Sequence, residues 1–113
     1  MAIFYKNQGY DLTTSNLTTV LNINTSSVAI IKEISVANDD NSAKKVDYFF
    51  YDASASVSYK FYHTDVPANS HDNAVHNALV LEEGDYLQFQ AAAANVISGQ
   101  ISYALLTRAG ENG

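Results

Sequence analysis

The clearest pattern in the chain begins at residue 79. Leu79-Val80-Leu81 is an apolar run, Glu82-Glu83-Gly84-Asp85 has turn composition, and residues 86–91 alternate. After an alanine run, residues 99–107 alternate again. Apolar and alternating segments divided by turn residues predict consecutive antiparallel strands. In the first alternating segment Leu87, Phe89 and Ala91 share one face, and Tyr86, Gln88 and Gln90 share the other. In the second, Ile101, Tyr103 and Leu105 oppose Gln100, Ser102 and Ala104. One apolar and one polar face per strand is the pattern of a sheet with a solvent side. In the turn, Gly84 can take positive φ without a Cβ penalty, and the Asp85 carboxylate can accept from nearby backbone N–H groups.

The same reading applied upstream predicts strands at 17–23, 28–37, 46–51 and 57–62. In 17–23, Leu17, Thr19, Leu21 and Ile23 fall on one face. In 28–37, Val28, Ile30, Ile34 and Val36 do, with Lys32 interrupting them. This strand is expected to be central, covered on both sides near Ile30 and Ile31. Segments 46–51 and 57–62 flank the small-residue turn at 52–56 and are expected to pair as a hairpin with aromatic cross-strand contacts. Residues 7–16 read as loop, and so does the long stretch 63–77 around Pro67, which has no N–H to donate to a ladder. Residues 91–94 are four alanines, good helix formers. Their place after an alternating strand and before Asn95 predicts a strand end and a turn instead. The expected fold is all-β: a two-sheet antiparallel sandwich, of which a jelly roll is one arrangement. It divides into an N-terminal arm or short strand at 1–16, a β-sandwich domain at 17–108 and a polar tail at 109–113.

Length and composition fit a single domain. The chain has 113 residues, 47% hydrophobic, enough for a two-layer core. Eight Tyr and five Phe with no Trp suit half-covered sheet faces. A net charge of −6 without a basic cluster argues against nucleic acid and against anionic membrane surfaces. No leader-like segment opens the chain, and no apolar run approaches the roughly 20 residues of a membrane-spanning helix. Without cysteine there are no disulfides, thiolate metal sites or Cys nucleophiles.

Candidate chemistry is sparse. Asp39 and Asp40 stand in a turn cluster that lacks the spacing and terminal Glu of an EF-hand. His63, His71 and His76, with Asp65 and Asp72 nearby, match no helical zinc motif. Glu82 and Glu83 are adjacent in a turn, whereas a glycosidase pair flanks a cleft from separate elements. No P-loop, dinucleotide fingerprint or nucleophile elbow is present. The expectation is a non-enzyme with no catalytic residue, no cofactor and no metal. Two aromatic groups stand out. Phe4, Tyr5 and Tyr10 either tuck onto their own domain or pack on a neighbouring subunit. Phe49, Tyr51 and Tyr62 either make a second core contact or form a surface for a protein or sugar partner.

Four pieces also carry a resemblance: Ala29-Ile30-Ile31-Lys32-Glu33-Ile34-Ser35-Val36-Ala37-Asn38, Val66-Pro67-Ala68-Asn69-Ser70, Leu79-Val80-Leu81-Glu82-Glu83-Gly84-Asp85-Tyr86-Leu87 and Ile101-Ser102-Tyr103. In order and spacing they resemble small β-sandwich virion structural proteins of tailed bacteriophages, those of cyanobacterial and marine phages in particular. The resemblance implies a homo-oligomeric virion subunit, a capsid decoration or cement protein, with a neck, tail or fibre component as the alternative. The implied partners are the major capsid protein or neck and tail proteins. The candidate subunit interface is Phe4, Tyr5, Tyr10, Phe49, Tyr51 and Tyr62. A carbohydrate-binding β-sandwich module is the alternative of another class.

Overall fold

The computed structural model describes residues 2–74 and 78–107. His76 and the tail at 109–113 lie outside the described residues. Among the described residues there are nine strands: β1 (Ala2–Leu12), β2 (Thr18–Asn22), β3 (Ser27–Asn38), β4 (Lys44–Asp52), β5 (Val57–Val66), β6 (His71–Asn73), β7 (Leu79–Leu81), β8 (Tyr86–Ala91) and β9 (Ile97–Thr107). All pairings are antiparallel. One sheet runs β1-β9-β3, with β6 and β7 pairing different parts of β3; the other runs β2-β8-β4-β5. With β6 and β7 taken as one interrupted strand, the chain crosses between sheets at every connection except β4–β5 and β6–β7. This is jelly-roll topology.

The core is the two inner faces. Leu12, Ile31, Ile34, Val36, Leu81, Ile97 and Ile101 come from the first sheet; Val46, Tyr48, Leu87 and Phe89 come from the second; all are fully buried. Each such side chain contributes roughly 1.5–3 kcal/mol by burial. The face assignments of 86–91 and 99–107, the β4–β5 hairpin and the strand-end reading of the alanines match the expectation: β8 stops at Ala91 and the following residues turn, with Asn95 at φ 64°. The C-terminal strands differ in one respect. Strands β7, β8 and β9 lie in alternating sheets and do not pair with one another.

Three β-bulges shift the phase that simple alternation predicts. In β3 the register slips between Ile31 and Glu33. A strict period of two places Lys32 on the same face as Ile30 and Ile34, and an unpaired buried ammonium is costly. The bulge leaves Lys32 and Glu33 both exposed, puts Ala29 and Ile31 with Ile34 and Val36 in the core, and turns Val28 and Ile30 outward. The expected inner set of β3 is therefore corrected at its N-terminal end. In β2 a slip between Thr19 and Leu21 brings Thr18 and Leu21 to the inner face and moves Thr19 out. In β5 the slip beside Phe61 lets both Phe61 and Tyr62 reach Tyr48, at ring distances of 6.3 and 5.8 Å.

Two expected loops contain strand. Residues 7–12 continue β1 along the whole of β9, because Tyr10 and Leu12 supply core side chains at period two. Residues 63–66 extend β5, and His71–Asn73 form β6 on β3. Polar composition hid both, since only one side of each is buried. Asn38 ties this end of the sandwich together. It is buried, its Nδ2 donates to the carbonyls of Ser42, Val66 and Pro67, and its Oδ1 accepts from the Asp40 amide.

Candidate interaction surfaces

The six aromatic residues singled out in the sequence do not form one site. Tyr10 is a core residue, 9% exposed, edge-on to Phe89 at 5.1 Å between centroids. Its hydroxyl donates to the Ser35 carbonyl across β9 at 2.6 Å. Burial raises its phenol pKa well above the usual value. The expectation that Tyr10 contacts a subunit is corrected: its hydroxyl and ring are both occupied within the chain.

Phe4 and Tyr5 are neighbours on β1 and so point to opposite faces. Phe4 is on the inner side, yet 49% exposed; the facing edge strand β2 has only five residues. Tyr5 is on the outer face and 82% exposed. Tyr62 is half-buried against Tyr48 at the β5 edge.

Phe49 and Tyr51 lie on the outer face of the second sheet. Lys60 Nζ stands 5.9 Å from the Phe49 centroid and 3.4 Å from Asp47 Oδ1. Tyr51 stacks on Tyr86, its partner on β8, with centroids 4.6 Å apart and planes 9° apart. That distance matches the spacing between strands, so the rings stand upright and turn their edges to solvent. A sugar platform needs an exposed ring face. Gln88 donates to Thr19 Oγ1 in the same layer. This surface is polar, internally hydrogen-bonded and charged.

Sequence reasoning missed a third surface, on the outside of the β1-β9-β3-β7 sheet. Residues paired across antiparallel strands share a face. Ile3 pairs with Leu106, which pairs with Val28; Tyr5 pairs with Ala104, which pairs with Ile30, which pairs with Val80. Those two rows contain seven apolar or aromatic side chains and no charge. Ile3 and Val80 are 56% and 53% exposed, and Val28, Ile30 and Leu106 are partly exposed. The next rows change character. Asn7, Ser102 and Glu33 form one, and Gly9, Gln100, Ser35 and Asn73 the next. Here Gln100 Nε2 donates to Glu33 Oε1, Asn73 Nδ2 to Glu33 Oε2 and Ser102 Oγ to Gln100 Oε1. Half of the face is thus an ordinary solvated polar surface, and half is a bare apolar stripe. Leu106, apolar at the end of an alternating strand, and Val80, in the middle of an unbroken apolar run, are its sequence traces; the β3 bulge concealed Val28 and Ile30.

Among the described residues one group of carboxylates converges: Asp52, Glu82 and Asp85, with ligand atoms within 4.8 Å of one another. Asp85 is buried and accepts from the amides of Ala53 and Glu82 at 2.9 and 2.8 Å. It acts as a strut between the β4–β5 turn and the β7–β8 corner. Gly84 in that corner has φ +83°, as the turn composition predicts, and donates to the Ile23 carbonyl. Asp39 and Asp40 belong to a surface turn where Lys44 lies 2.9 Å from Asp40 and holds its carboxyl below the usual range.

No family model matches the chain, and neither does any curated protein. Solved structures do. The chain is similar to a capsid chain of Helicobacter pylori bacteriophage KHP30, with a TM-score of 0.55 and 8% identity over 93% of this chain and 87% of that one. It is similar to a chain of infectious bursal disease virus strain Gx with a TM-score of 0.57 and 10% identity, covering 96% of this chain and 33% of that one. A chain of Bacillus endospore appendages, described as disulfide-linked pili, gives a TM-score of 0.51 and 11% identity, with 91% and 85% covered. At such identities the likeness is one of fold.

Proposed function

We propose that this chain is a structural subunit of a virus particle, a phage virion protein that decorates or cements the capsid. The observation that carries the reading is the apolar stripe of Ile3, Tyr5, Val28, Ile30, Val80 and Leu106, which gathers on one face of an acidic molecule; the other exposed large apolar side chains, Phe4, Leu17, Val57 and Tyr59, lie off that face. Exposed apolar rows rimmed by polar ones mark contact surfaces. A jelly roll similar to the KHP30 capsid chain over most of both lengths supports a particle context, as does the resemblance to small virion proteins. Of the expected interface, Tyr5 falls in this contact zone, and Phe4 lies on the opposite face of β1. Phe49 and Tyr51 belong to the outer surface of the second sheet, where Lys60 and Tyr86 contact them, and Tyr62 packs on Tyr48. The upright Tyr51–Tyr86 pair weighs against a carbohydrate-binding module.

In this role the chain needs no catalytic group. Its partners are the major capsid protein or, in the alternative reading, neck, tail or fibre proteins. Weak contacts repeated over a shell hold by avidity. Quantitative mass spectrometry of purified particles tests the proposal. Copies in the hundreds fit decoration. A dozen or fewer move the protein to the neck or tail, and absence refutes the particle reading.

A further inference from the structure

We infer that the apolar stripe is a two-fold contact between copies of this chain, made by packing the outer faces of two β1-β9-β3-β7 sheets on each other. The inference deepens the structural-subunit reading and rests on it for its biological setting, though its physical test stands alone.

Charge selects the occupant. The chain carries −6, so two copies repel wherever acidic surfaces meet. The polar half of the same face carries Glu33 and Asp11, with the exposed Lys32 of the β3 bulge next to Glu33. The second sheet presents Asp47 and Lys60. The two stripe rows carry no ionisable side chain except the Tyr5 phenol. Stripe on stripe therefore joins two like-charged molecules without juxtaposing acids. A basic partner would gain more from the acidic surfaces and would leave the stripe uncovered.

Shape agrees. Two twisted sheets pack face to face with their strands about 30° apart and their side chains interdigitated. The rows offer alternating bulk for this: Tyr5 and Ile30 flank the small Ala104, and Leu106 lies between Ile3 and Val28. A two-fold axis near Ala104 lets the large side chains of one copy fill the low point of the other. Such a contact is isologous and closes on itself.

Area sets the strength. With Tyr5 82% exposed and Ile3 and Val80 about half exposed, each copy offers on the order of 400 Å² of apolar surface. A stable interface buries about 800 Å² per partner. The pair is therefore weak in solution and effective only where copies are held close together, as on a shell.

Sedimentation velocity on the full chain from roughly 10 μM to 1 mM spans the range of weak contacts. The weight-average sedimentation coefficient should rise with concentration toward that of a dimer. Tyr5→Asp and Val80→Asp, both at exposed positions, should each raise the dissociation constant at least tenfold. Tyr51→Asp on the other sheet should leave it unchanged, with far-UV circular dichroism confirming the fold of all three. Concentration-dependent amide shifts should concentrate at residues 3–5, 28–30, 80 and 104–106. A wild type that stays monomeric at the top concentration would overturn the inference. So would shifts centred on the second sheet, or a dimer that survives both stripe substitutions. If the chain is found in particles yet remains monomeric, the pairing fails and the structural-subunit reading stands. If it dimerises through the stripe but is absent from particles, the reverse holds. Loss of head binding by Tyr5→Asp from a monomeric wild type would assign the stripe to the capsid and reject the pairing.

Discussion

Gly99 is the position where a single methyl group should do the most damage. A Cβ built on it runs into the Ser35 carbonyl oxygen and meets the Tyr10 hydroxyl at 2.8 Å. Cβ points out of the plane of a sheet. A carbonyl in that position has therefore left the ladder plane toward the core, where the Tyr10 hydroxyl takes it up at 2.6 Å. The Gln100 amide donates to Ser35 Oγ beside it. Gly99→Ala must push β9 away from β3, and β9 is paired along its length with both β1 and β3. Overpacking of this kind costs about 1–3 kcal/mol. Losing the Tyr10–Ser35 hydrogen bond adds roughly 1 kcal/mol. The loss of glycine's freedom in the unfolded chain offsets about 0.4–1 kcal/mol. A net loss of about 2–3 kcal/mol is expected, a large share of the roughly 5–15 kcal/mol of a typical domain. Urea denaturation followed by circular dichroism reads this as a fall in midpoint at constant slope. The other glycines provide the scale. Gly84→Ala forces a side chain into positive φ against Ala53 Cβ at 3.2 Å and should cost about 1 kcal/mol. Gly9→Ala meets nothing closer than the Gly99 carbonyl oxygen at 3.9 Å and should be neutral or slightly stabilising. If Gly99→Ala matched Gly9→Ala, the out-of-plane carbonyl would not exist in solution and the account of Tyr10 would fall with it.

Three further outcomes follow from buried polar groups. The Tyr48 hydroxyl is buried with no hydrogen-bond partner among the described residues, so Tyr48→Phe should stabilise by roughly 1 kcal/mol; a lower melting temperature would reveal a missing partner. Asn38→Ala removes four hydrogen bonds at once and should cost about 2–3 kcal/mol, and a midpoint within error of wild type would show that this end of the sandwich does not depend on it. Burial raises the pKa values of Tyr10, Tyr48 and Tyr103 above the ordinary value of about 10. Their contribution is complete below that pH and is lost as pH rises beyond it, because the unfolded chain releases these protons first. Absorbance titration should show the three ionising late, together with unfolding; all eight tyrosines titrating as one exposed class with the fold intact would contradict this.

The strands with two unlike faces were legible in the sequence, because burial on one side imposes alternation. Leu87 and Phe89 against Gln88 and Gln90 is such a case. The corner at Gly84 was equally legible, since positive φ favours glycine. What escaped was phase and context. A bulge inserts a residue that period-two counting cannot see, so the pattern places Val28 and Ile30 inward, and the slip beside Lys32 turns them outward. Tyr10 reads as part of a loop because its neighbours Gln8, Gly9 and Asp11 are polar, whereas β9 recruits the whole segment by backbone pairing. The stripe escaped for the same reason: it assembles from four strands distant in sequence and exists only once their register is known.

The central claim is that this jelly roll works by sticking through its apolar stripe. The most direct measurement is the binding of purified chain to assembled heads that lack it, compared between wild type and Tyr5→Asp. Wild type should saturate the heads at a fixed stoichiometry, and Tyr5→Asp, folded by circular dichroism, should show binding reduced at least tenfold. Equal binding by the two would contradict the claim, and so would heads that take up neither.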